Sequence, residues 1–391
     1  MPELQDIFEQ YSDIYKETHK LPKNHQKAIY CIKSCRTSLM GGHIDECNDC
    51  GYVKISYNSC RNRHCPKCQT LSKERWIEDR KQDLLPVQYF HVVFTIPNII
   101  SSIALQNQKI IYSILLKAAA ETLLELAGDK KYLGAQIGFT SILHTWGQNL
   151  MHHPHIHCIV PGGGLSTCGK WINSRKKFFV PVRVLSRKFK GKFLYYFKKA
   201  FHDNSLKFYG SIQNLEMEQD FQSIINSMYK PEWVVYCKEP FKGPKHVVEY
   251  LGRYTHRVAI SNNRIINIDN GLVTFKWKDY KDGNKEKLMK LDAAEFIRRF
   301  LVHVLPDRFV KIRHYGILGN RNRNTKLKLC KRLTGVKFKA EYSKMTTEQL
   351  LYKLIGRDIT KCPCCGRGKL QRTKNFVKQG ISPPININVI A

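Results

Sequence analysis

The sequence predicts an α+β fold, in which helices flank a central antiparallel sheet and a small cysteine-rich domain precedes it. Three observations point to this class. The first is the order strand, helix, strand, strand over residues 89–160, which is typical of an antiparallel sheet with helices packed on it. The second is the helical spacing of apolar residues over Leu105–Ala127. The third is a series of short strand-like stretches bounded by Pro and Gly.

The elements follow from their local sequences. Residues 3 to about 36 have the mixed polarity of helices, and residues 70–84 form a charged helix that ends before a proline. Asp292 and Glu295 fit a capping box that starts a further helix, which stops at Pro306. The stretches rich in β-branched and aromatic residues are predicted strands: Tyr89–Thr95, Ile137–Leu143, His155–Val160, Glu232–Cys237, Leu272–Trp277 and Phe309–Tyr315.

The charge of the chain points to a polyanionic partner. The formal net charge is +33, and nucleic acid is the partner that such an excess favours. Gly169–His202 and Arg308–Ala340 each carry eleven Lys or Arg and no acidic residue. The first run is expected to form an insertion or loop–helix arm that binds single-stranded nucleic acid, although a solvated basic face would also explain either run alone. Aromatic residues are interleaved in it: Trp171, Phe178, Phe179, Phe189, Phe193, Tyr195, Tyr196 and Phe197.

The compartment follows from what the sequence lacks. The start, MPELQDIFEQ, has no apolar segment of the kind found in a signal peptide, and no run of eighteen apolar residues occurs. Fourteen cysteines in such a chain are expected to be metal ligands or free thiols and not disulfides. We expect a cytoplasmic or nuclear protein, and predict the cytoplasm.

Paired cysteine knuckles predict a zinc site. Cys47 and Cys50 are followed, after fourteen intervening residues, by Cys65 and Cys68, and four thiolates at this spacing can surround one tetrahedral Zn²⁺. The residues around these pairs offer a possible second Zn²⁺ site with two Cys and two His. Its candidate ligands are Cys35, His43, Cys60 and His64.

Several neighbouring residues have more than one interpretation. Cys60 and His64 could instead pack or contact DNA, and Arg61 and Arg63 would present charge to phosphates beside the metal. Near the other end of the sequence, the knuckle of Cys362 and Cys365 offers half of a further possible zinc site. Its remaining ligands would have to come from elsewhere in the fold.

A histidine strand predicts a second kind of metal site. His155 and His157 alternate with apolar residues, so both imidazoles point to one face of the strand and can bind one divalent cation. His144 is the nearest third ligand, and Gln148 and Asn149 are weaker candidates. No Asp or Glu occurs from residue 130 to 202, so no local carboxylate can complete the site. The alternative is that these are ordinary polar residues near a strand edge.

A helical segment further on carries two tyrosines one turn apart. Tyr250 and Tyr254 lie in a stripe with Val247, Leu251 and Val258, so on periodicity alone both could be core aromatics. Cationic and histidine side chains crowd this helix, and a tyrosine hydroxyl near cations and a metal-bound phosphate could act as a nucleophile. These neighbours are His246, Arg253, His256 and Arg257.

Together these motifs resemble a known family. The His-Ile-His triplet followed by a tyrosine pair resembles the HUH endonuclease superfamily, and the whole chain resembles the two-tyrosine rolling-circle transposases of the insertion-sequence 91 family. The resemblance covers roughly residues 35–320. The stretches that carry it are SCRNRHCPKCQ, YFHVVFTIPN, LHTWGQNLMHHPHIHCIVPGGG, YLGRYTHRVAISNNRI and EFIRRFLVHVLPDRFVKIRHYGIL.

The resemblance implies both an activity and its residues. It implies an HUH-type nuclease that nicks and rejoins single-stranded DNA at transposon ends, through attack by Tyr250 or Tyr254 and a 5′-phosphotyrosyl intermediate. The similarity to relaxases, which use three histidines, assigns His144 as third ligand of Mg²⁺ or Mn²⁺ with His155 and His157. The expected DNA-binding side chains are Arg61, Arg63, Arg253, Arg257 and Arg264.

The resemblance also implies a domain order and leaves alternatives. We expect N-terminal helices and a zinc-binding domain at 1–85, the nuclease domain at 86–320 with its basic arm at 169–202, and a basic C-terminal region at 321–391. A plasmid relaxase or replication initiator would use the same chemistry, but the sequence has no GxxxxGK[ST] motif for a fused helicase. A non-catalytic zinc-containing DNA-binding protein would leave the histidine strand and tyrosine pair unexplained.

Overall fold

The computed structural model describes residues 1–175, 180–238, 247, 250, 252, 255–280, 282–336 and 345–377. Its α-helices are α1 Leu4–Thr18, α2 Lys23–Lys33, α3 Pro66–Lys81, α4 Ser101–Gln106, α5 Gln108–Gly128, α6 Val182–His202, α7 Glu218–Tyr229, α8 Ala293–Leu301, α9 Lys328–Leu333 and α10 Thr347–Ile355. Its strands are β1 Gly42–Cys47, β2 Val53–Tyr57, β3 Tyr89–Thr95, β4 Gly138–Trp146, β5 His152–Pro161, β6 Gly163–Leu165, β7 Trp171–Asn173, β8 Val235–Lys238, β9 Ile265–Asp269, β10 Leu272–Asp279, β11 Lys285–Asp292, β12 Ile312–Gly316 and β13 Leu370–Phe376. No helix within these ranges is long and apolar enough to cross a membrane.

A five-stranded antiparallel sheet forms the centre of the molecule, in the order β12-β4-β5-β3-β8. This confirms the predicted α+β class with a central antiparallel sheet. Each predicted strand of the sheet forms, although β5 begins at His152, three residues earlier than the sequence suggested. In the register, Thr95 lies opposite His155 and Val93 opposite His157. Residues opposite one another share a face, so the register decides which side chains meet.

The two faces of this sheet have different roles. On one face, Phe90 and Phe94 of β3 and Cys158 of β5 are buried in the main hydrophobic core with α5 and α6. The other face carries His155 and His157, and a smaller cluster covers it at Val247 and Tyr250. The large apolar core therefore supports the sheet from behind and leaves the histidine face to the helical segment around Tyr250.

The basic run of Gly169–His202 differs from the expected arm. Its main element is α6, which packs along α5 and buries Phe189, Phe193 and Phe197 completely. These three aromatics recur at i, i+4, i+8, so they form one buried helical face and do not offer bases a stacking surface. Tyr195, by contrast, is exposed. Phe178 and Phe179 lie outside the described residues.

A second core joins distant parts of the chain. Helices α1 and α2 pack with the antiparallel sheet β9-β10-β11 and with α8, and Phe8 contacts Phe300 with ring centroids 5.4 Å apart. The expected capping box of α8 does not form: Asp292 makes no side-chain cap, and the Glu295 carboxylate pairs with Arg298 and Arg299 instead. A boundary at residue 85 therefore divides residues that share this core.

A third, smaller sheet brings together segments from either end of the sequence. It has the order β13-β1-β2, with β13 antiparallel to β1 from Gly42 opposite Phe376 to Cys47 opposite Leu370. Helix α10 contacts α3 nearby, where Lys353 pairs with Glu78. The expected division at residue 320 cuts through this sheet, because the C-terminal strand completes the N-terminal hairpin.

Candidate metal and nucleophile site

Three histidines meet on the open face of the central sheet. His144 lies directly opposite His155 across β4 and β5, and His157 follows two residues later on the same face. One ligand nitrogen from each lies within 4.8 Å of the others. The ring centroids of His144 and His157 are 4.6 Å apart, and those of His155 and His157 are 4.9 Å apart. The structure thus brings together the three histidines that the sequence and its resemblance selected.

The protonation of these rings suits metal binding. The Nδ1 of His155 lies 2.7 Å from the backbone oxygen of His153, and a carbonyl only accepts, so Nδ1 carries the ring proton. Its Nε2 lone pair is then available to a metal. Burial lowers the pKa of His155 to about 4 and that of His157 well below its usual value, and Arg257 adds to both shifts. Both rings are therefore neutral near pH 7, which is the ligand form.

The weaker candidate ligands are engaged elsewhere. The side-chain amide of Gln148 donates to the Tyr280 hydroxyl at 3.0 Å. The Oδ1 of Asn149 accepts from the backbone N–H of Met151 at 3.2 Å.

A fourth histidine, His91 of β3, links the histidine cluster to a tyrosine. Its Nε2 lies 2.8 Å from Nδ1 of His157, and its Nδ1 lies 2.9 Å from the Tyr250 hydroxyl. The sequence did not single out His91, because Tyr89–Thr95 shows only the pattern of a strand. A cross-strand register would have revealed it, since His91 lies opposite Ile159 and therefore on the face of His157.

The described residues just after Tyr250, Gly252 and 255–256, here called the tyrosine segment, pack against α3. Gly252 lies so close to α3 that a Cβ there would be 2.4 Å from Cδ1 of Ile77. The Nδ1 of His256 lies 3.1 Å from Oε1 of Gln69, also on α3. Of the predicted tyrosine pair, Tyr250 is thus placed beside the histidines, whereas Tyr254 and its neighbour Arg253 lie outside the described residues.

A cationic cleft adjoins this site. It has a volume of about 400 Å³, and α3 forms one wall while Gly252 and residues 256–264 form the other. Lys73 and Arg257 line it, as does Arg264. Lys311 lies behind, with its Nζ 3.5 Å from the backbone oxygen of Arg257, and burial lowers its pKa to about 8. The cleft is positively charged at neutral pH and suits a phosphate backbone.

The cysteines form two clusters, and the pairing differs from the prediction. Cys65 and Cys68 do not share a site with Cys47 and Cys50. They gather with Cys35 and Cys60 at the start of α3, in what we term the α3 cluster, where the sulfur of Cys68 is 3.6 Å from those of Cys35 and Cys60. Hydrogen bonding from Cys60, with help from Cys65, lowers the pKa of Cys35 to about 7, which favours the thiolate.

The second group, the ribbon cluster, consists of Cys47, Cys50, Cys362 and Cys365. Its sulfur pairs lie at 3.8 Å for Cys47 and Cys365, and at 3.7 Å for Cys50 and Cys362. Backbone N–H groups point at these sulfurs, among them Cys364 N to Cys362 at 3.3 Å. The half site predicted near residue 362 thus finds its missing partners in the first knuckle, because β13 pairs with β1.

The predicted histidine ligands of the second zinc site lie apart from both clusters. The Nε2 of His43 is 3.2 Å from a carboxylate oxygen of Asp45 on the same strand. The Nε2 of His64 accepts from the backbone N–H of Leu305 at 3.3 Å. Since all four positions of the α3 cluster are thiols, the expected site of two Cys and two His was wrong.

Three of the predicted DNA-binding arginines divide into an exposed one and two structural ones. Arg61 is exposed, whereas Arg63 donates to the backbone oxygens of Phe309 at 2.5 Å and Pro306 at 2.7 Å. Arg264 likewise donates to two carbonyls, Lys276 at 2.8 Å and Gln148 at 2.5 Å. Arg63 and Arg264 therefore tie segments of the fold together, and Arg61 remains available to a ligand.

Comparisons with known proteins identify the chain. Residues 7–96 match the family described as "Transposase zinc-binding domain", that of insertion sequence 91, and residues 138–326 match the family described as "Putative transposase". The chain is 47% identical over 388 residues to "Putative transposase y4qJ" of Sinorhizobium fredii, covering 98% of this chain and 97% of the relative. It is 28% identical over 300 residues to "Transposase for insertion sequence element IS801" of Pseudomonas savastanoi pv. phaseolicola, covering 74% and 68%. No solved structure matches it.

These matches and the fold define a transposase with a zinc-binding domain, a class whose partner is DNA. The chain belongs to the insertion-sequence 91 family of transposases.

Proposed function

We propose that this transposase cuts and rejoins single-stranded DNA at the ends of its element, with Tyr250 as a nucleophile beside a divalent cation. The observation that carries the proposal is the chain of contacts from the histidine cluster through His91 to the Tyr250 hydroxyl. A buried core aromatic would not need its hydroxyl aimed at a histidine that contacts a group of candidate metal ligands. The cationic cleft beside it would take the phosphate backbone.

His144, His155 and His157 would hold Mg²⁺ or Mn²⁺ as neutral imidazoles. Three neutral ligands leave the full charge of the cation, which would polarise the scissile phosphate and stabilise charge developing in the transition state. The absence of Asp and Glu between residues 130 and 202 fits this arrangement, because no local carboxylate reduces that charge.

The chemistry of Tyr250 conserves the energy of the phosphodiester. Its phenol oxygen bonds to phosphorus as the bond to the 3′ oxygen breaks; the phenolic proton is released to solvent and the 3′ oxygen takes up a proton. The products are a 5′-phosphotyrosyl linkage and a free 3′-OH. A later 3′-OH reverses the step and joins a new strand. Tyr254 would hold a second strand in the same way.

We also propose that the α3 cluster and the ribbon cluster each hold one Zn²⁺. Four sulfurs within 4.8 Å of one another are the ligand set of structural zinc sites. The α3 cluster precedes the helix whose Gln69 and Ile77 contact the tyrosine segment, so its zinc would fix the start of that helix. In this way the zinc-binding domain would position one wall of the cleft.

The test is cleavage of a labelled single-stranded oligonucleotide that carries the end of the element, with and without Mg²⁺ or Mn²⁺. We expect a metal-dependent covalent protein–DNA adduct that survives denaturation, and its loss in the Tyr250→Phe, Tyr254→Phe double variant. His157→Ala should lose the metal dependence and most of the adduct. Tyr195→Phe on the exposed side of α6 is the matched control and should react as the wild type does.

Two results would contradict the proposal. One is tight DNA binding without any adduct from the wild type on either strand, which would favour a non-catalytic DNA-binding protein. The other is an adduct that persists in the double tyrosine variant, which would place the nucleophile elsewhere. A relaxase or replication initiator would form the same adduct but would need its own origin sequence and not the ends of an element.

A further inference from the structure

We infer that His91 is a positioning residue that makes the Tyr250 oxygen a hydrogen-bond acceptor when the histidine cluster binds its cation. The inference rests on the proposed function, because it assumes that the cluster holds a metal and that Tyr250 attacks. It concerns a residue that is neither a candidate metal ligand nor a candidate nucleophile. Its basis is the geometry of two hydrogen bonds made by one buried ring.

The direction of these bonds follows from counting ring protons. The Nδ1 of His157 faces Nε2 of His91 at 2.8 Å, so His157 has only Nε2 left to offer a metal. A neutral imidazole carries one proton, and ligation through Nε2 leaves that proton on Nδ1. His157 must then donate to His91, and His91 accepts at Nε2.

The ring proton of His91 can be placed in the same way, and it fixes the direction of the hydrogen bond to Tyr250. With its Nε2 lone pair accepting, neutral His91 carries its own proton on Nδ1, which lies 2.9 Å from the Tyr250 hydroxyl. His91 therefore donates and the Tyr250 oxygen accepts. A hydrogen bond donated to a phenol oxygen stabilises the phenolate, the form that attacks phosphorus. The phenolic proton then points away from His91.

The surroundings of His91 hold it in this role. Its ring is only 3% exposed, lies parallel to that of His157 at a centroid distance of 5.0 Å, and meets the Tyr250 ring edge-on at 4.9 Å. The two nitrogens of a single ring are thus both committed, one to a metal ligand and one to the nucleophile.

Two substitutions separate positioning from packing. Gln at position 91 keeps an amide oxygen to accept from His157 and an amide N–H to donate to Tyr250, whereas Phe keeps the buried ring and removes both bonds. If His91 only packs, His91→Phe should bind Mn²⁺ as tightly and form the adduct as fast as His91→Gln, or exceed it in both. If it positions Tyr250, the order is reversed. His314→Gln, on the same sheet face and bonded to Thr140 at 2.9 Å, is the matched control.

The measurements are Mn²⁺ affinity, followed by electron paramagnetic resonance with the cysteine clusters loaded with zinc, and the rate of adduct formation at saturating DNA. For His91→Phe we expect both to fall by about 10–100-fold, the usual cost of losing a group that orients a metal-binding histidine. His91→Gln should recover most of each loss. DNA affinity without Mn²⁺ and the melting temperature should remain close to the wild type in both variants.

The outcomes distinguish this inference from the proposed function. An active wild type whose His91→Phe variant equals or exceeds His91→Gln in both measurements would overturn the role of His91 and leave the tyrosine chemistry standing. A wild type that forms no adduct would overturn the proposed function, and the order of Mn²⁺ affinities would then still decide whether His91 supports His157.

Discussion

The ribbon cluster makes a sharp prediction about stability. The Cys362→Ser substitution removes one of the four sulfurs of the ribbon cluster. Within the cluster Cys50 and Cys362 lie side by side, although they are 312 residues apart in the sequence. Cross-linking a loop of that length removes about 5–6 kcal/mol of conformational entropy from the unfolded chain. Pairing of β1 with β13 closes the same loop, so this figure is the ceiling for what the metal adds.

The assay combines zinc content with hydrogen exchange. The Cys362→Ser protein should contain one Zn²⁺ fewer than the wild type, and the amides of β1 and β13 should exchange faster by up to about 10⁴-fold, which corresponds to that ceiling. Cys47→Ser should have the same effect. Cys65→Ser should lose the other Zn²⁺ and leave β13 protected.

Cys364→Ser provides the control, because Cys364 is exposed and lies between the two cysteines of the same knuckle without belonging to the cluster. It should keep both metals and wild-type exchange. The reasoning fails if Cys362→Ser retains its full zinc content, or if Cys47→Ser and Cys65→Ser remove the same ion. The latter result would restore the pairing first expected from the sequence.

Three further predictions follow. Burial lowers the pKa of His303 to about 4, so folding favours its neutral form. The free energy of unfolding should therefore fall by up to about 3 kcal/mol as the pH drops from 6.5 towards 4. In urea titrations, the unfolding free energy of His303→Gln should depend less steeply on pH over this range. Phe193→Ala should cost about 3–5 kcal/mol in urea unfolding, because the ring is fully buried, whereas the exposed Tyr195→Ala should change stability by less than about 0.5 kcal/mol. Arg61→Ala should reduce the steepness of log DNA affinity against log salt concentration by about one. Arg63→Ala should leave that salt dependence unchanged and lower the free energy of unfolding by about 1–3 kcal/mol, because the backbone carbonyls of Pro306 and Phe309 lose their donor.

Each of these expectations has a contrary result. An unchanged pH dependence after replacement of the buried histidine would mean that other groups control acid unfolding. Equal stability of Phe193→Ala and Tyr195→Ala would mean that α6 does not pack into the core and would favour the basic arm predicted from the sequence. A lower salt slope from the buried arginine would mean that it contacts phosphate and not only the backbone.

The sequence predicted those parts of the site that depend on local spacing. The alternation of His155 and His157 places both on one strand face, and the register with β4 adds His144. His91 could not be selected in this way, because its role depends on which strand lies beside β5. Position along a strand fixes the face of a side chain, whereas its neighbour is fixed only when the sheet assembles.

The same distinction explains the cysteines. Each knuckle is a local motif that the sequence shows clearly, but any two knuckles could share a metal. The knuckle of Cys65 and Cys68 is the nearest one to Cys47 and Cys50 in the sequence, yet pairing of β13 with β1 brings Cys362 and Cys365 closer in space. The prediction of a basic arm at α6 was wrong for a different reason. It relied on the number of aromatic residues and not on their spacing, and the spacing of Phe189, Phe193 and Phe197 places all three on one buried face of the helix.

The ribbon cluster also sets a time order for synthesis of the protein. A ribosome adds about 5–20 residues per second, so the 312 residues between Cys50 and Cys362 take on the order of 15–60 s to translate. Throughout that interval β1 has no partner on its outer edge, and the first knuckle has only two thiols to offer a metal. Ribosome-bound chains halted before residue 362 should therefore carry one Zn²⁺ fewer than the released protein, and a prematurely terminated transposase would lack a completed ribbon.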